Sequence, residues 1–490
     1  MNNPKSNRAD QMIGVGQKTK RQTKRARGKR EPRLAAPYAK TLDQWARAVV
    51  LPIMLMAALA SCVTPNQCDP SIPADPRLSA LYEKLHTLDR QQTSVPLRIL
   101  HLGDSHIAGD NFSGDLAKLF HTRFGDAGRG QFPAGDPFPY FRRKGFTVSA
   151  TDGWETINSL SPHASGLFGL SGVRTTSAAP QDLIRLRSDT PAGLENIELD
   201  VLQQSGGGSF TLTLDGTPLG PFATRGDGTQ LMRIGLNGKT AQTILLSPNG
   251  DGPVTLLGMG SESRHAGVRY ESHGIPGATL ALMDKWDAPI LSAQLSLMKP
   301  DVIILGYGTN EGFDDRLNVP KYKALMEEKI NFLQANAPDA SILLIGAFGG
   351  NRLPRWSQTA SWSQIKSIAR KDFPCRPLEL NERATYDTLQ QNQNLLLARW
   401  HEPPRLKDVR HVQQQIAQER GLWYFDGAAV MGGPCGMHQW VQESPPRAYG
   451  DHVHMTSHGA KSMARSFWNA LITPYESYAC RLKGNTPTLN

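Results

Sequence analysis

Two short apolar runs restrict what this chain can fold into more than any other feature of it. Leu97-Arg-Ile-Leu-His-Leu102 and Val302-Ile-Ile-Leu305 are strand-sized, and the second lacks the polar alternation of a strand with one wet face, so both faces must be covered, as in a parallel sheet. The first run enters a tight turn, Gly103-Asp-Ser-His-Ile-Ala-Gly109. Beyond it, Leu116, Leu119, Phe120 and Phe124 recur at helical spacing on one face. Strand, turn and helix in succession predict an α/β sheet with its site at the carboxyl ends of the strands. Strands at 267–271, 342–345 and 422–425 extend that pattern. Helices are predicted at 78–88, 278–286, 289–298 and 406–420, from Pro320 onward with Tyr322, Met326, Ile330 and Leu333 on one side, and after an N-cap at Ser457. Residues 350–405 show no firm period.

Between 182 and 260 the pattern changes. Ile197/Leu199/Val201, Phe210/Leu212/Leu214, Ile234/Leu236, Ile244/Leu246 and Val254/Leu256 alternate, separated by clusters such as Gly206-Gly-Gly208, Asp215-Gly216 and Asn237-Gly238. Closely spaced strands with such turns predict a β-sandwich or jelly roll inserted into the α/β unit. A sugar-binding module presenting a polymer to the site and a structural elaboration both fit that insertion. The expected plan is a cationic n-region and signal segment over 1–61, a linker over 62–77, the α/β domain over 78–150 and 267–480, the β-rich insertion over 151–266, and a tail over 481–490.

The formal charge of +10 sits almost wholly in the first 49 residues, which hold thirteen Lys/Arg against three acidic residues. A basic tail of this kind stays solvated and is no argument for nucleic-acid binding by the body of the chain. The apolar run from Ala48 to Ala60 behind it has the length of a signal-peptide core. It ends in Leu59-Ala-Ser-Cys62, which resembles the lipobox of bacterial lipoproteins and makes Cys62 the expected lipidation site; an uncleaved signal anchor is the other reading. Both export the remainder. Cys68, Cys375, Cys435 and Cys480 then form an even set in an oxidising compartment, predicting two disulfides with three possible connectivities. No Cys-x-x-Cys or Cys/His cluster points to a metal.

Ser105 is the candidate nucleophile. A serine hydroxyl is weak at neutral pH and needs a base within hydrogen-bond reach, together with donors for the oxyanion its attack creates. Three later loops carry the polar groups: Ser272-His-Gly274-Ile-Pro-Gly277, Gly306-Tyr-Gly308-Thr-Asn310-Glu311, and Tyr449-Gly-Asp451-His-Val-His454. In this order, Gly-Asp-Ser105, Gly277, Gly-Thr-Asn310 and Asp451-x-x-His454 resemble the four blocks of the SGNH (GDSL-type) hydrolases. The resemblance spans roughly 95–145 and 267–472, and implies a three-layer α/β/α, flavodoxin-like parallel sheet. It assigns His454 as general base, Asp451 as its orienting partner, and the Ser105 and Gly277 backbone N–H groups with the Asn310 amide as oxyanion donors. A glycine suits position 277 where a backbone donor must approach closely without a Cβ in the way. An α/β-hydrolase elbow would need a second glycine that Gly103-Asp-Ser-His-Ile107 lacks.

The other histidines are rivals to be placed. His101 reads as a core histidine and His452 as a rim or solvated residue, while His106 and His273 either line the pocket or shape their loops. Gly103-Asp-Ser-His-Ile-Ala-Gly-Asp110, Tyr307-Gly-Thr-Asn-Glu311 and Met431-Gly-Gly-Pro-Cys-Gly436 are similar to the exported peptidoglycan O-acetylesterases. That resemblance implies metal-independent, cofactor-free removal of acetyl from O-acetylated glycan through an acetyl-serine, in a lipid-anchored periplasmic protein. An O-acetyltransferase, an esterase for another acetylated polysaccharide, and a non-catalytic glycan-binding envelope protein are the alternatives.

Overall fold

The computed structural model describes residues 69, 71–138, 141–162, 164, 166–358 and 373–484. The cationic segment, the apolar run, Cys62 and Cys68 lie outside the described residues. Pro65–Asn490 forms one compact unit.

Five parallel strands, β1 (Leu97–Gly103), β2 (Val268–Gly274), β3 (Val302–Gly306), β4 (Ser341–Ile345) and β5 (Trp423–Phe425), lie in the order β2-β1-β3-β4-β5. This is the flavodoxin-like order, whose switch point lies between β1 and β3. Alternate side chains face opposite layers. Ile99, Ile304, Leu343 and Ile345 pack against α1 (Ser79–Asp89), α2 (Phe112–Phe124) and α6 (Ser457–Gly484). Leu100, Leu102, Ile303, Leu305 and Leu344 pack against α3 (Ala288–Met298), α4 (Val319–Asn336) and α5 (Pro404–Arg420). The continuous apolar runs thus arise from burial on both faces.

Local signals set the helix ends. Asp287 caps α3 by accepting from Ile290 N at 3.0 Å, and Asn318 caps α4 through Lys321 N at 3.0 Å, each followed by a proline in the first turn. Two expectations are corrected. The segment 278–286 is a 3-10 helix, Leu280–Lys285, held between the turn at Gly277 and the Asp287 cap. At α6 the cap hydroxyl is that of Thr456, which accepts from Gly459 N at 3.2 Å, while Ser457 turns to Asn111.

Between α2 and β2 the chain builds two antiparallel sheets. One joins Gln230–Ala241, Leu194–Gln203, Val254–Ser261, Val173–Ser177 and Glu155–Asn158, with Gly130–Phe132 on Val254–Ser261; the other joins Phe146–Ala150, Ile184–Ser188, Thr243–Pro248, Ser209–Leu214 and Thr217–Ala223. Leu199, Val201 and Leu256 of the first sheet share a core with Leu186, Phe210, Leu212 and Ile244 of the second, the alternation of a β-sandwich. Polar contacts bind this insertion to the α/β layers. Buried Asp200 accepts from Arg233 at 2.7 and 2.9 Å and from Gln294 of α3 at 2.8 Å, and Trp286 Nε1 donates to Ser159 Oγ at 3.1 Å.

The described residues of the aperiodic region, 350–358 and 373–405, form short helices such as Leu380–Ala384 and Tyr386–Gln391 and are also held by long-range links. Cys375 is bonded to Cys435, and Leu353, Trp356, Phe373 and Trp400 form a small core of their own. Cys480 is also disulfide-bonded.

Candidate active site

The parallel register brings the three loops to one level. Gly103 pairs with Gly274 of β2 and with Gly306 of β3, so the segments leaving β1, β2 and β3 emerge side by side. After β1, Asp104 caps a one-turn helix, Ser105–Ala108, by accepting from His106 N at 2.9 Å, which places Ser105 at its first position. This turn sits tightly on the sheet. A Cβ at Gly274 would lie 2.4 Å from Ala108 N, and one at Gly103 2.4 Å from Ile107 Cγ1, so close approach requires glycine at both positions.

Ser105, His454 and Asp451 form one hydrogen-bonded line. Ser105 Oγ donates to His454 Nε2 at 2.9 Å, and His454 Nδ1 donates to Asp451 Oδ2 at 2.8 Å. Asp451 Oδ1 accepts from the Val453 and His454 backbone N–H groups at 2.9 and 3.0 Å. Its partial burial would raise the carboxyl pKa, but the hydrogen bonds from the His454 side chain and from these two N–H groups outweigh that and hold it at about 2. The carboxylate is therefore ionised at neutral pH. Both side chains are unusually open, His454 at 44% and Asp451 at 48% exposure.

Gly277 and Asn310 belong to loops that are tied together. Asn310 Nδ2 donates to Ala278 O at 2.8 Å, which fixes the amide and leaves its second N–H available. The neighbouring Glu311 accepts from Leu280 N at 2.6 Å. Burial pushes the Glu311 carboxyl up to about 7 against the pull of that bond. Gly277 has φ +80°, and a Cβ there would meet only Leu160 Cδ2, at 3.4 Å. The left-handed backbone by itself calls for glycine at 277.

The remaining histidines sort cleanly. His101 is buried with Nδ1 against Tyr270 Oη at 2.8 Å, and burial lowers its pKa to about 3, so it is a neutral core residue. His273 is buried beside Glu271 at 2.9 Å. His458 is exposed on α6. His452 is the exception to expectation: it is fully buried, not at the rim. Its ring stacks on Trp400 at 3.5 Å between centroids and 13° between planes, and its Nδ1 donates to Gly450 O at 3.1 Å. Its φ of +60° is a left-handed conformation that this packing must hold.

Sequence reasoning missed the groups behind the Asp451 loop because they come from the aperiodic region and from a short helix, Gly436–Gln442, that no motif marked as part of the site. Asn351 N donates to His452 O at 2.9 Å, Asn351 Oδ1 accepts from His438 N at 2.9 Å, and His438 Nδ1 lies 3.0 Å from His452 Nε2. A cavity of about 330 Å³ opens beside Asp451 and Val453, lined also by Phe313, Arg352, Arg355 and Trp400.

Strand order, layers and the level of the four blocks are those of the SGNH-hydrolase fold. Among solved structures, a peptidoglycan O-acetylesterase superimposes with a TM-score of 0.63 at 22% identity, over 81% of this chain and 97% of its own. A family two carbohydrate esterase from Clostridium thermocellum matches at a TM-score of 0.23 and 13% identity over 67% of this chain and 99% of its own. An acetyl xylan esterase matches at 0.25 and 12% over 42% and 81%. No family model and no curated protein matches the sequence.

Proposed function

We propose that the chain is a serine O-acetylesterase that removes acetyl groups from O-acetylated cell-wall glycan, and that it works in the envelope, lipid-anchored at Cys62. The observation that carries this reading is the Ser105–His454–Asp451 line at the carboxyl ends of β1, β2 and β3. The likeness to the O-acetylesterase, over 81% of this chain and 97% of its own, supports the glycan as substrate. His454 takes the Ser105 proton as Oγ attacks the acetyl carbonyl, and Asp451 stabilises the imidazolium. The tetrahedral oxyanion is met by the Ser105 and Gly277 N–H groups and the free Asn310 N–H. Collapse transfers the His454 proton to the departing sugar oxygen and leaves an acetyl-serine. Water, deprotonated by His454, then releases acetate and restores Ser105.

The test is acetate release from O-acetylated peptidoglycan by the chain beginning after Cys62, beside hydrolysis of a small aryl acetate. Release from both supports the reading. Cleavage of the aryl ester alone retains the esterase and removes the glycan, and inertness toward both overturns it.

Two variants probe the assignments. Asn310→Ala should lower kcat by about 10²–10³-fold with KM little changed, because the lost donor acts on charge that develops only in the transition state. Steady-state kinetics on aryl acetate read this split; a matching rise in KM would contradict it. Tyr449, 51% exposed two residues before Asp451 and held by its N–H to His454 O at 2.9 Å, offers an aromatic face to a pyranose ring. Tyr449→Ala should lower kcat/KM for the polymer by about tenfold, the equivalent of about 1.4 kcal/mol, and leave aryl acetate turnover unchanged. Equal losses on both substrates would remove the sugar contact.

A further inference from the structure

Beside the His454 ring of the hydrogen-bonded line lies that of a second, buried histidine, which the chemistry above does not use. His106 follows the nucleophile directly, and its ring centroid lies 5.7 Å from that of His454. Its Nδ1 is 3.0 Å from Asp104 Oδ1, and its Nε2 is 3.1 Å from Val453 O. A carboxylate oxygen and a peptide carbonyl are both acceptors, so each ring nitrogen must bear a proton for both bonds to exist. The ring is then a buried imidazolium paired with a buried carboxylate, both side chains being almost wholly shielded.

Such a pair is costly to desolvate unless both members are well bonded, and both are. Asp104 Oδ1 also accepts from His106 N, and the far end of the imidazolium holds Val453 O. Val453 lies between Asp451 and His454, and its own N–H donates to Asp451. The tether therefore runs from the turn that carries Ser105 to the loop that carries the base, bridging segments more than 300 residues apart in sequence.

We propose that His106 is a positioning residue: as an imidazolium clamped by Asp104, it holds the Val453 carbonyl and so sets the distance between Ser105 Oγ and His454 Nε2. This inference rests on the esterase reading for its kinetic test, but not for its spectroscopic one. The charged and titratable groups facing the ring are Asp104 on its own turn and Asp451 and His454 on the opposing loop; the loop after β4 presents the Phe348 ring, 4.8 Å away. Burial lowers the His106 pKa, but the Asp104 charge and hydrogen bond, the Val453 carbonyl and Asp451 together raise it above the ordinary histidine value. With a raised pKa, the tether is present below that value. It is lost as pH rises through that value, when Nε2 gives up its proton and presents a lone pair to Val453 O.

Three substitutions separate positioning from bulk structure. Glutamine places an N–H near the position of Nε2, asparagine near that of Nδ1, and leucine supplies neither. On aryl acetate, with kcat referred to titrated active sites, His106→Leu and His106→Asn should lose about 10–100-fold in kcat with KM within about twofold. His106→Gln should stay within about fivefold of the parent and lack the parent's alkaline fall in kcat. Equal kcat per active site in all three variants, with only the melting temperature lowered, would make His106 structural. An alkaline limb unchanged in His106→Gln would also overturn the proposal. Imidazole ¹⁵N spectra of the parent at pH 7 decide independently of turnover. Two protonated nitrogens on His106 are expected, and one unprotonated nitrogen there would refute the clamp even if the protein cleaved no ester.

Discussion

Ser105→Ala should abolish acetate release, lowering kcat by about four to six orders of magnitude, the scale seen when a triad nucleophile is removed. The loss is chemical and not structural. Ser105 Oγ makes its hydrogen bond to His454 at the partly exposed end of the line, whereas the turn is held by Asp104 and by the glycines beneath it. Alanine is a good residue for the first turn of a helix, so the melting temperature should move by no more than a few degrees. Acetate quantified after overnight incubation, with circular dichroism of the same samples, checks both statements. Residual turnover within tenfold of the parent would move the nucleophile elsewhere.

Asp451→Asn should be nearly as damaging, about 10³–10⁴-fold in kcat, for a reason readable in the hydrogen bonds. The Oδ1 position is claimed by two backbone donors, Val453 N–H and His454 N–H. An asparagine must keep its carbonyl oxygen there, which turns its amide N–H toward His454 Nδ1. The imidazole is then obliged to accept at Nδ1 and carry its proton on Nε2, where it can no longer take a proton from Ser105. Asp451→Ala, which imposes no tautomer, should therefore lose less than Asp451→Asn. Active-site-titrated kcat for the two variants checks the order, and the reverse order would show that the carboxylate charge matters more than the orientation it imposes. Because the Asp451 pKa lies at about 2, the orienting contact is complete from mildly acidic pH upward and is lost only as pH falls through that value.

What the sequence made legible follows from physics that acts locally or by strict spacing. The apolar run at 302–305 announces burial on both faces, and two sheet faces with separate cores are what the structure has. Asp451 and His454 could be paired because a three-residue step lets the carboxylate meet both the ring and the backbone of the same turn. The alternation between 197 and 256 revealed the sandwich for the same reason, although Asn237-Gly238, expected as a turn, lies at an irregularity inside the strand Gln230–Ala241. By contrast, 278–286 has helical spacing but lies in a span bounded by a left-handed glycine and a capping aspartate, and tertiary packing makes it a 3-10 turn.

The aperiodic region gave no firm period because its described residues form only short helices joined by contacts at long range. Cys375 finds Cys435, and Trp400 finds His452, each partner more than fifty residues away. The burial of His452 could not be read from a polar loop whose covering indole is so distant. His106 was visible as a motif residue, but only the position of the Val453 carbonyl discloses what its second nitrogen does.

The openness of the His454 and Asp451 side chains has a steric consequence for any long substrate. On the esterase reading proposed above, a reactive line whose base and carboxylate are half-exposed lets a modified residue in the interior of a polymer approach Ser105 as well as one at a free end. On that same reading, selection among residues falls to the surfaces flanking the line, and acetyl groups would leave interior positions as well as ends.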